Sequence, residues 1–164
     1  MLKDILVNLA VGAKSDPAAD YALSIAAGFD AHITGTAFAL KPVIPAMIVG
    51  GVAVDVIDQV VAENEKTARA AIEKFDANIK KQGVRGEAMR ATEILIDAAN
   101  RFGRMARTFD VSVVGQADPD GDGAEDLFIE QALFQSSRPV IVVPYIQKAP
   151  VKLDRIVCCW DGSQ

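Results

Sequence analysis

A run of alternating acids in the second half of the chain has the most recognisable chemistry. Asp118, Asp120 and Asp122 match the first half of a calcium loop, D-x-D-x-D-G, whose carboxylate oxygens surround the ion. The twelfth loop position should be Glu, but Ile129 stands there and Glu130 lies one residue too far. A strand, not a helix, is expected before the run. We therefore expect a solvated acidic turn, with weak Mg²⁺ or Ca²⁺ binding as the alternative.

Nucleophilic catalysis has no support in the sequence. The single histidine, His32, falls on an expected strand, and no Ser or Cys has it as a plausible partner. Cys158 and Cys159 are adjacent and too few for a disulfide framework or a zinc site, so we expect two small residues in a buried strand. Glu125 and Asp126 suit a helix N-terminus better than an acid/base pair. No catalytic residue is therefore assigned, and we do not expect an enzyme.

Apolar runs alternate with helical patterns along the chain. Asp16 and Pro17 are expected to open the first helix, and Gly28 and Gly83 to end the first and second helices. The sequence predicts strands over 5–9, 31–40, 87–91, 111–114 and 140–143, and helices over about 17–28, 55–82, 93–107 and 125–136.

This alternation predicts a parallel sheet with helices on both faces. Ligands of such sheets bind outside the carboxyl ends of the strands, where the strand order reverses. The loops expected to hold a ligand are therefore 10–15, 41–54 and 115–124.

Composition places the chain among ordinary globular proteins. It has 164 residues, 51% of them apolar and 24% charged, which suits one domain with a full core and excludes a disordered chain. The net charge of −5 argues against nucleic-acid backbones and anionic membranes as partners. The N-terminus lacks a signal-peptide pattern, and no stretch approaches the ~20 apolar residues of a membrane span. We expect a cytoplasmic protein.

The end of the chain repeats its beginning. Residues 154–163, Asp-Arg-Ile-Val-Cys-Cys-Trp-Asp-Gly-Ser, align with residues 3–12 as another first strand and turn. A strand without a following helix cannot bury its two faces, so we expect a tandem repeat truncated in its second copy. The expected division is a domain over 1–147, a linker over 148–153, and the start of the second copy over 154–164.

Four stretches resemble the universal stress protein family. They are Lys-Asp-Ile-Leu-Val at 3–7, the long helix before Gly83, Val-Ser-Val-Val-Gly at 111–115, and Ser-Arg-Pro-Val-Ile-Val-Val-Pro at 137–144. The resemblance covers residues 1–144. It implies an α/β fold with a five-stranded parallel sheet and helices on both faces, Rossmann-like and similar to the adenine nucleotide alpha hydrolases. It also implies a binding role in the stress response.

Nucleotide-binding family members carry an Asp after strand one, and after strand four a Gly, two residues, a Gly, nine residues, and a Gly followed by Ser or Thr. The loop amides and the next helix N-terminus then cradle the phosphates. Here Ala10 occupies the Asp position. Gly115 matches the first Gly, but Asp118 replaces the second. Phe128 and Ile129 stand where Gly-Ser is expected, or Asp126 and Leu127 when the count runs back from the Pro-Val of strand five, and neither register restores the motif. The chain thus resembles the family in its fold pattern without the nucleotide motif.

The charges in the second half of the chain also argue against a nucleotide site. Residues 108–137 contain seven acids and no Lys or Arg. A like-charge pair about 4 Å apart costs roughly 1 kcal/mol in water and about 4 kcal/mol at an effective dielectric of about 20. A triphosphate in this region would therefore meet repulsion unless Mg²⁺ bridged the charges.

Three functions remain open at this stage. The first is a stress-response binding or scaffold module that has no working ATP site and no cofactor in this domain. The second is an adenine-nucleotide sensor with a non-standard phosphate loop, using ATP or ATP with Mg²⁺. The residues that would then meet the nucleotide are Ala10, Val11, Ala39, Gly115, Gly121 and Gly123. Gly115 and its neighbours would contact the phosphates, and the backbone of strand two near Ala39 would contact the adenine. The third is weak ATP hydrolysis, for which no residue can be assigned as base.

Strand five is the expected site of assembly. In the family it ends the sheet and pairs with partners, and its residues Val140, Ile141, Val142 and Val143 form an apolar edge. An uncovered apolar edge is a liability for aggregation. We expect a homodimer through strand five, or coverage by the second domain in a tandem protein, with residues 156–160 exchanged or laid along an edge.

Overall fold

Five strands and four helices alternate along the residues that the computed structural model describes, which are 2–43, 54–117 and 123–162. The elements are β1 (Asp4–Asn8), α1 (Pro17–Phe29), β2 (His32–Leu40), α2 (Val54–Gln82), β3 (Arg85–Glu93), α3 (Leu95–Ala106), β4 (Val111–Gly115), α4 (Ala124–Ser136) and β5 (Val140–Val143). No helix in these ranges is both long and apolar enough to cross a bilayer.

The strands form one parallel sheet in the order β3-β2-β1-β4-β5. Ile5 of β1 lies opposite Ile33 of β2 on one side and Val111 of β4 on the other. One apolar core lies between the sheet and α1 and α2, and a second lies between the sheet and α3 and α4. The predicted α/β fold with helices on both faces is therefore confirmed.

The signals at the ends of α1 and α2 are confirmed with one exception. Asp16 caps α1, since its Oδ1 accepts a hydrogen bond from the Ala19 amide at 2.9 Å. Gly83 follows α2 with a φ of +66°. Gly28 does not end α1, because the helix continues to Phe29 and Asp30 adopts the left-handed conformation, with a φ of 51°. Asp tolerates this conformation better than most side chains do.

Strand β3 is longer than predicted, and α3 begins later. The sequence predicted a strand over 87–91 and a helix from Glu93, but Thr92 and Glu93 pair with Ala39 and Leu40 of β2. The nine residues of β2 offer backbone partners along their whole length. These long-range hydrogen bonds extend β3, so that α3 starts only after Ile94.

The tail does not form the predicted strand. Residues 156–160 are in irregular structure, and Ile156, Val157 and Trp160 are 78%, 86% and 73% exposed. Cys158 and Cys159 are likewise exposed rather than buried. A strand requires a neighbour to pair with, and no element in the described part of the chain pairs with this segment. The division into a domain, a linker and a second copy remains a prediction.

The linker segment before this tail lies against α1. The amide of Val151 donates a hydrogen bond to Ser24 Oγ at 2.9 Å, and the Val151 side chain packs on the core beside α1. Val151 thus contacts the domain within the segment that the sequence predicted as a linker.

Two glycines in helices differ in how closely a neighbouring element approaches them. In α3, a Cβ on Gly103 would lie 2.7 Å from the carbonyl oxygen of Gln131 in α4, whereas a Cβ on Gly28 in α1 would meet nothing within 4 Å.

We expect Gly103→Ala to lower the free energy of unfolding by about 1–3 kcal/mol, because α4 must move. Gly28→Ala should raise it by about 0.5–1 kcal/mol through helix propensity. Urea denaturation measures both, and equal effects would contradict the close contact.

Candidate functional site

A cavity of about 340 Å³ opens at the carboxyl ends of β1 and β4, the two central strands between which the strand order reverses. Its apolar wall is formed by Leu9, Phe38, Leu40, Phe128 and Val143. Its polar and charged lining includes Asn8, Lys14, Ser15, Asp16, Gln116, Glu125 and Tyr145. Its volume and mixed lining are typical of a small-molecule pocket.

Asp16 connects the loop that follows β1 to helix α1, beside this cavity. One carboxylate oxygen accepts the Ala19 amide of α1, and the other accepts the Ala10 amide of the loop at 2.8 Å. Burial raises the pKa of Asp16, and Asp20 adds to this, while the two amides and Lys74 oppose it. The cavity therefore contains a poorly solvated carboxylate that is held in place by two backbone donors.

Helix α4 brings an acid and an aromatic ring to the cavity. Gly123 precedes the helix with a φ of 73°, and Glu125 in the first turn lines the cavity. Phe128 is buried, with its ring centroid 5.4 Å from that of Phe38 and 5.9 Å from that of Phe102. The α4 side of the cavity is thus closed by core aromatic packing, at one of the two positions where the family resemblance placed Gly-Ser.

The structure brings together some of the residues predicted to meet a nucleotide. Ala10, Val11 and Gly115 line the cavity. The Ala39 side chain does not line it, because successive strand residues point to opposite faces, and Ala39 is fully buried in the core beside α1 and α2. Its neighbours Phe38 and Leu40 line the cavity instead. The contact expected between the strand-two backbone near Ala39 and an adenine stays a prediction.

The acidic turn falls largely outside the described residues. Asp118, Asp120, Gly121 and Asp122 lie there, and Gly123 is the residue that precedes α4. Within the described ranges, no three His, Cys, Asp or Glu side chains are placed to hold a metal ion.

His32 lies away from the cavity. It stands at the amino end of β2, with its Nδ1 atom 3.8 Å from Asp4 Oδ1, at the opposite end of the parallel sheet. This position is consistent with the structural role predicted for it.

Sequence reasoning missed three parts of the lining. Asn8 follows the apolar run of β1, and a polar residue at a strand's carboxyl end is a usable signal. Asp16 was identified only as a helix cap. The pairing of Phe38 with Phe128 joins residues on β2 and α4, and no local pattern indicates it.

Several solved structures share this fold. The universal stress protein UspA from Lactobacillus plantarum superposes with a TM-score of 0.66 at 15% identity, over 87% of this chain and 97% of that chain. A universal stress protein family member from Burkholderia pseudomallei gives 0.58 at 22%, over 87% and 96%. An Arabidopsis thaliana member with AMP bound gives 0.54 at 16%, over 87% and 91%. No protein-family model and no curated protein sequence matches the chain. The chain thus has the fold of the universal stress proteins.

Removing the Asp16 carboxylate tests its structural role. Asp16→Ala leaves the Ala10 and Ala19 amides without their acceptor, so we expect the free energy of unfolding to fall by about 1–2 kcal/mol. Asp20→Ala is the matched control. It removes an exposed acid from the same helical turn and should cost about 0.3 kcal/mol. Urea denaturation compares the two variants.

The raised pKa of Asp16 also predicts how the effect of Asp16→Ala on stability changes with pH. Because the folded pKa of Asp16 is raised above 3.8, the folded protein retains its proton to higher pH than the unfolded chain does. The stability difference between wild type and Asp16→Ala should be largest below pH 3.8 and should shrink as pH rises through the folded pKa. A stability difference that grows with pH would contradict the conclusion that burial is the main cause of the raised pKa of Asp16.

Proposed function

We propose that this chain is a universal stress protein family member and a binding or scaffold module of the stress response, without a working ATP site in this domain. The shared fold supports the family. The observation that carries the functional part is the lining of the cavity: Glu125 and the buried Phe128 lie on the α4 side, from which a helix N-terminus would hold phosphates, and the Asp16 carboxylate lies at the start of α1.

The charges around α4 oppose a polyphosphate. A helix N-terminus normally attracts anions through its free amides and its dipole. In α4, Glu125 and Asp126 occupy the first turn and place two negative charges in that field. Among the described residues that line the cavity, Lys14 is the cation, and it is exposed to solvent. Several phosphate charges would meet more repulsion than one lysine offsets.

The packing of Phe128 also opposes the binding of a polyphosphate. Close approach of phosphate oxygens to backbone requires small residues, which is why phosphate loops are rich in glycine. Phe128 instead extends the core of Phe38 and Phe102 to the cavity wall. Opening this side would cost the burial of a large aromatic side chain.

An adenine-nucleotide sensor is the second candidate. It is favoured by the position of the cavity at the reversal of strand order, with Ala10, Val11 and Gly115 in its lining. The AMP-bound Arabidopsis thaliana structure shares the fold. Bridging Mg²⁺ would reduce the repulsion from the acids.

Isothermal titration calorimetry with ATP, with and without Mg²⁺, separates the two candidates. We expect no saturable heat in either condition, because the carboxylates repel the phosphates and Phe128 closes the α4 side. The circular dichroism spectrum of the same sample is the control for folding. Micromolar saturation at one site per chain would instead establish the nucleotide sensor.

We also propose that the chain forms a homodimer through β5, or that a second domain covers this strand in a tandem protein. Within the described sheet, β5 pairs with β4 on one side only. Val142 is 40% exposed, and Val140 and Ile141 are half-buried. Pairing with a second copy would satisfy the free backbone groups and cover these side chains.

Light scattering tests this assembly. We expect the mass of a dimer for the wild-type chain and of a monomer for Val142→Lys, because a buried unpaired charge disfavours association. Met89→Lys is the matched control, since Met89 is also 40% exposed but lies on β3, at the opposite edge. It should remain a dimer. A wild-type monomer at high concentration, or loss of the dimer only with Met89→Lys, would overturn the proposal.

A further inference from the structure

The cavity at the carboxyl ends of β1 and β4 combines an aromatic wall with negatively charged side chains. Phe38 and Phe128 form the wall, and the carboxylates of Asp16 and Glu125 stand around it. We propose that this cavity binds a small organic cation, an amine carried on an aromatic or other apolar body. The inference rests on the proposed function only in taking this cavity as the ligand site of the module.

The size of the cavity fits a small molecule. At about 340 Å³ it lies near the lower end of the roughly 300–1,000 Å³ that ligand pockets occupy. The rings of Phe38 and Phe128, together with Leu9 and Leu40, offer apolar surface to the body of such a ligand.

The balance of charge selects a cation over an anion. Among the described lining residues, Asp16 and Glu125 contribute two carboxylates, against one ammonium group from the exposed Lys14, while Lys74 of α2 acts on Asp16 from outside this lining. A positively charged ligand would gain Coulomb energy here, whereas an anion of the same shape would lose it.

Asp16 provides a fixed anchor for an ammonium group. Each of its oxygens accepts one backbone amide, from Ala10 and from Ala19, so the carboxylate cannot easily turn away. A carboxylate oxygen has a second lone pair, which remains for a ligand donor. Burial raises the pKa of this group, and a bound cation would supply the stabilisation that the charged form lacks.

Asn8 supplies a neutral hydrogen-bonding group at the same site. It ends β1, it is half-buried, and its side chain makes no hydrogen bond with any residue in the described ranges. Its amide offers two donors and one acceptor oxygen. A ligand that carries a polar group beside its apolar body would satisfy them.

A series of phenyl compounds tests the proposal with one shared body and three charges: phenethylamine, phenylethanol and phenylpropionate. Amide NMR spectra of the full chain, recorded at neutral pH, report both affinity and location. We expect shifts at Ala10, Gly115 and Phe128, with phenethylamine binding about tenfold more tightly than phenylethanol, and phenylpropionate more weakly than either.

Two neighbouring acids form a matched pair of variants. Glu125 lines the cavity, whereas Asp126 is the next residue, lies in the same helical turn and is exposed. Glu125→Gln should weaken phenethylamine binding about fivefold and leave phenylethanol binding unchanged. Asp126→Asn should change neither by more than about twofold.

Distinct outcomes overturn this inference and the proposed function. Binding of ATP in the calorimeter counts against the proposed function. Absence of phenethylamine shifts at the cavity, tightest binding of phenylpropionate, or equal effects of Glu125→Gln and Asp126→Asn overturn the cation site, whatever ATP does.

Discussion

The central strand β1 is the constraint on which the rest of the domain depends. It pairs with β2 on one side and β4 on the other, and Ile5, Leu6 and Val7 are fully buried between the two helical layers. Such a strand satisfies its backbone only if a neighbouring strand pairs with it on each side, and here both neighbours are parallel to it. The connections then cross to opposite faces of the sheet, and they diverge at the carboxyl end of β1, where the cavity opens.

Asp16 joins this framework to the site. Its carboxylate holds the Ala10 amide of the loop after β1 and the Ala19 amide of α1, so it fixes the angle at which the helix leaves the strand. The same group brings a partly desolvated negative charge to the cavity. One side chain therefore contributes to folding through its hydrogen bonds and to ligand selection through its charge, and a substitution affects both.

The structural neighbours share the sheet and its helices, whereas the site depends on individual side chains. Here the aromatic contacts of Phe38, Phe102 and Phe128 carry the core beside α3 and α4 up to the cavity wall. Glu125 lies beside this wall at the start of α4. An apolar and acidic cavity thus occupies the reversal of strand order, at which open α/β sheets bind ligands.

The sequence by itself determined the order of the strands and helices, the cap at Asp16 and the stop at Gly83, because periodicity and capping act within a few residues. Only the tertiary structure decided the length of β3, which pairs with β2, and the irregular conformation of 156–160, which has no partner in the described ranges. It also decided that Phe38 and Leu40, and not Ala39, line the cavity. These outcomes depend on contacts between residues far apart in the chain, and short-range patterns carry no information about which distant groups will meet.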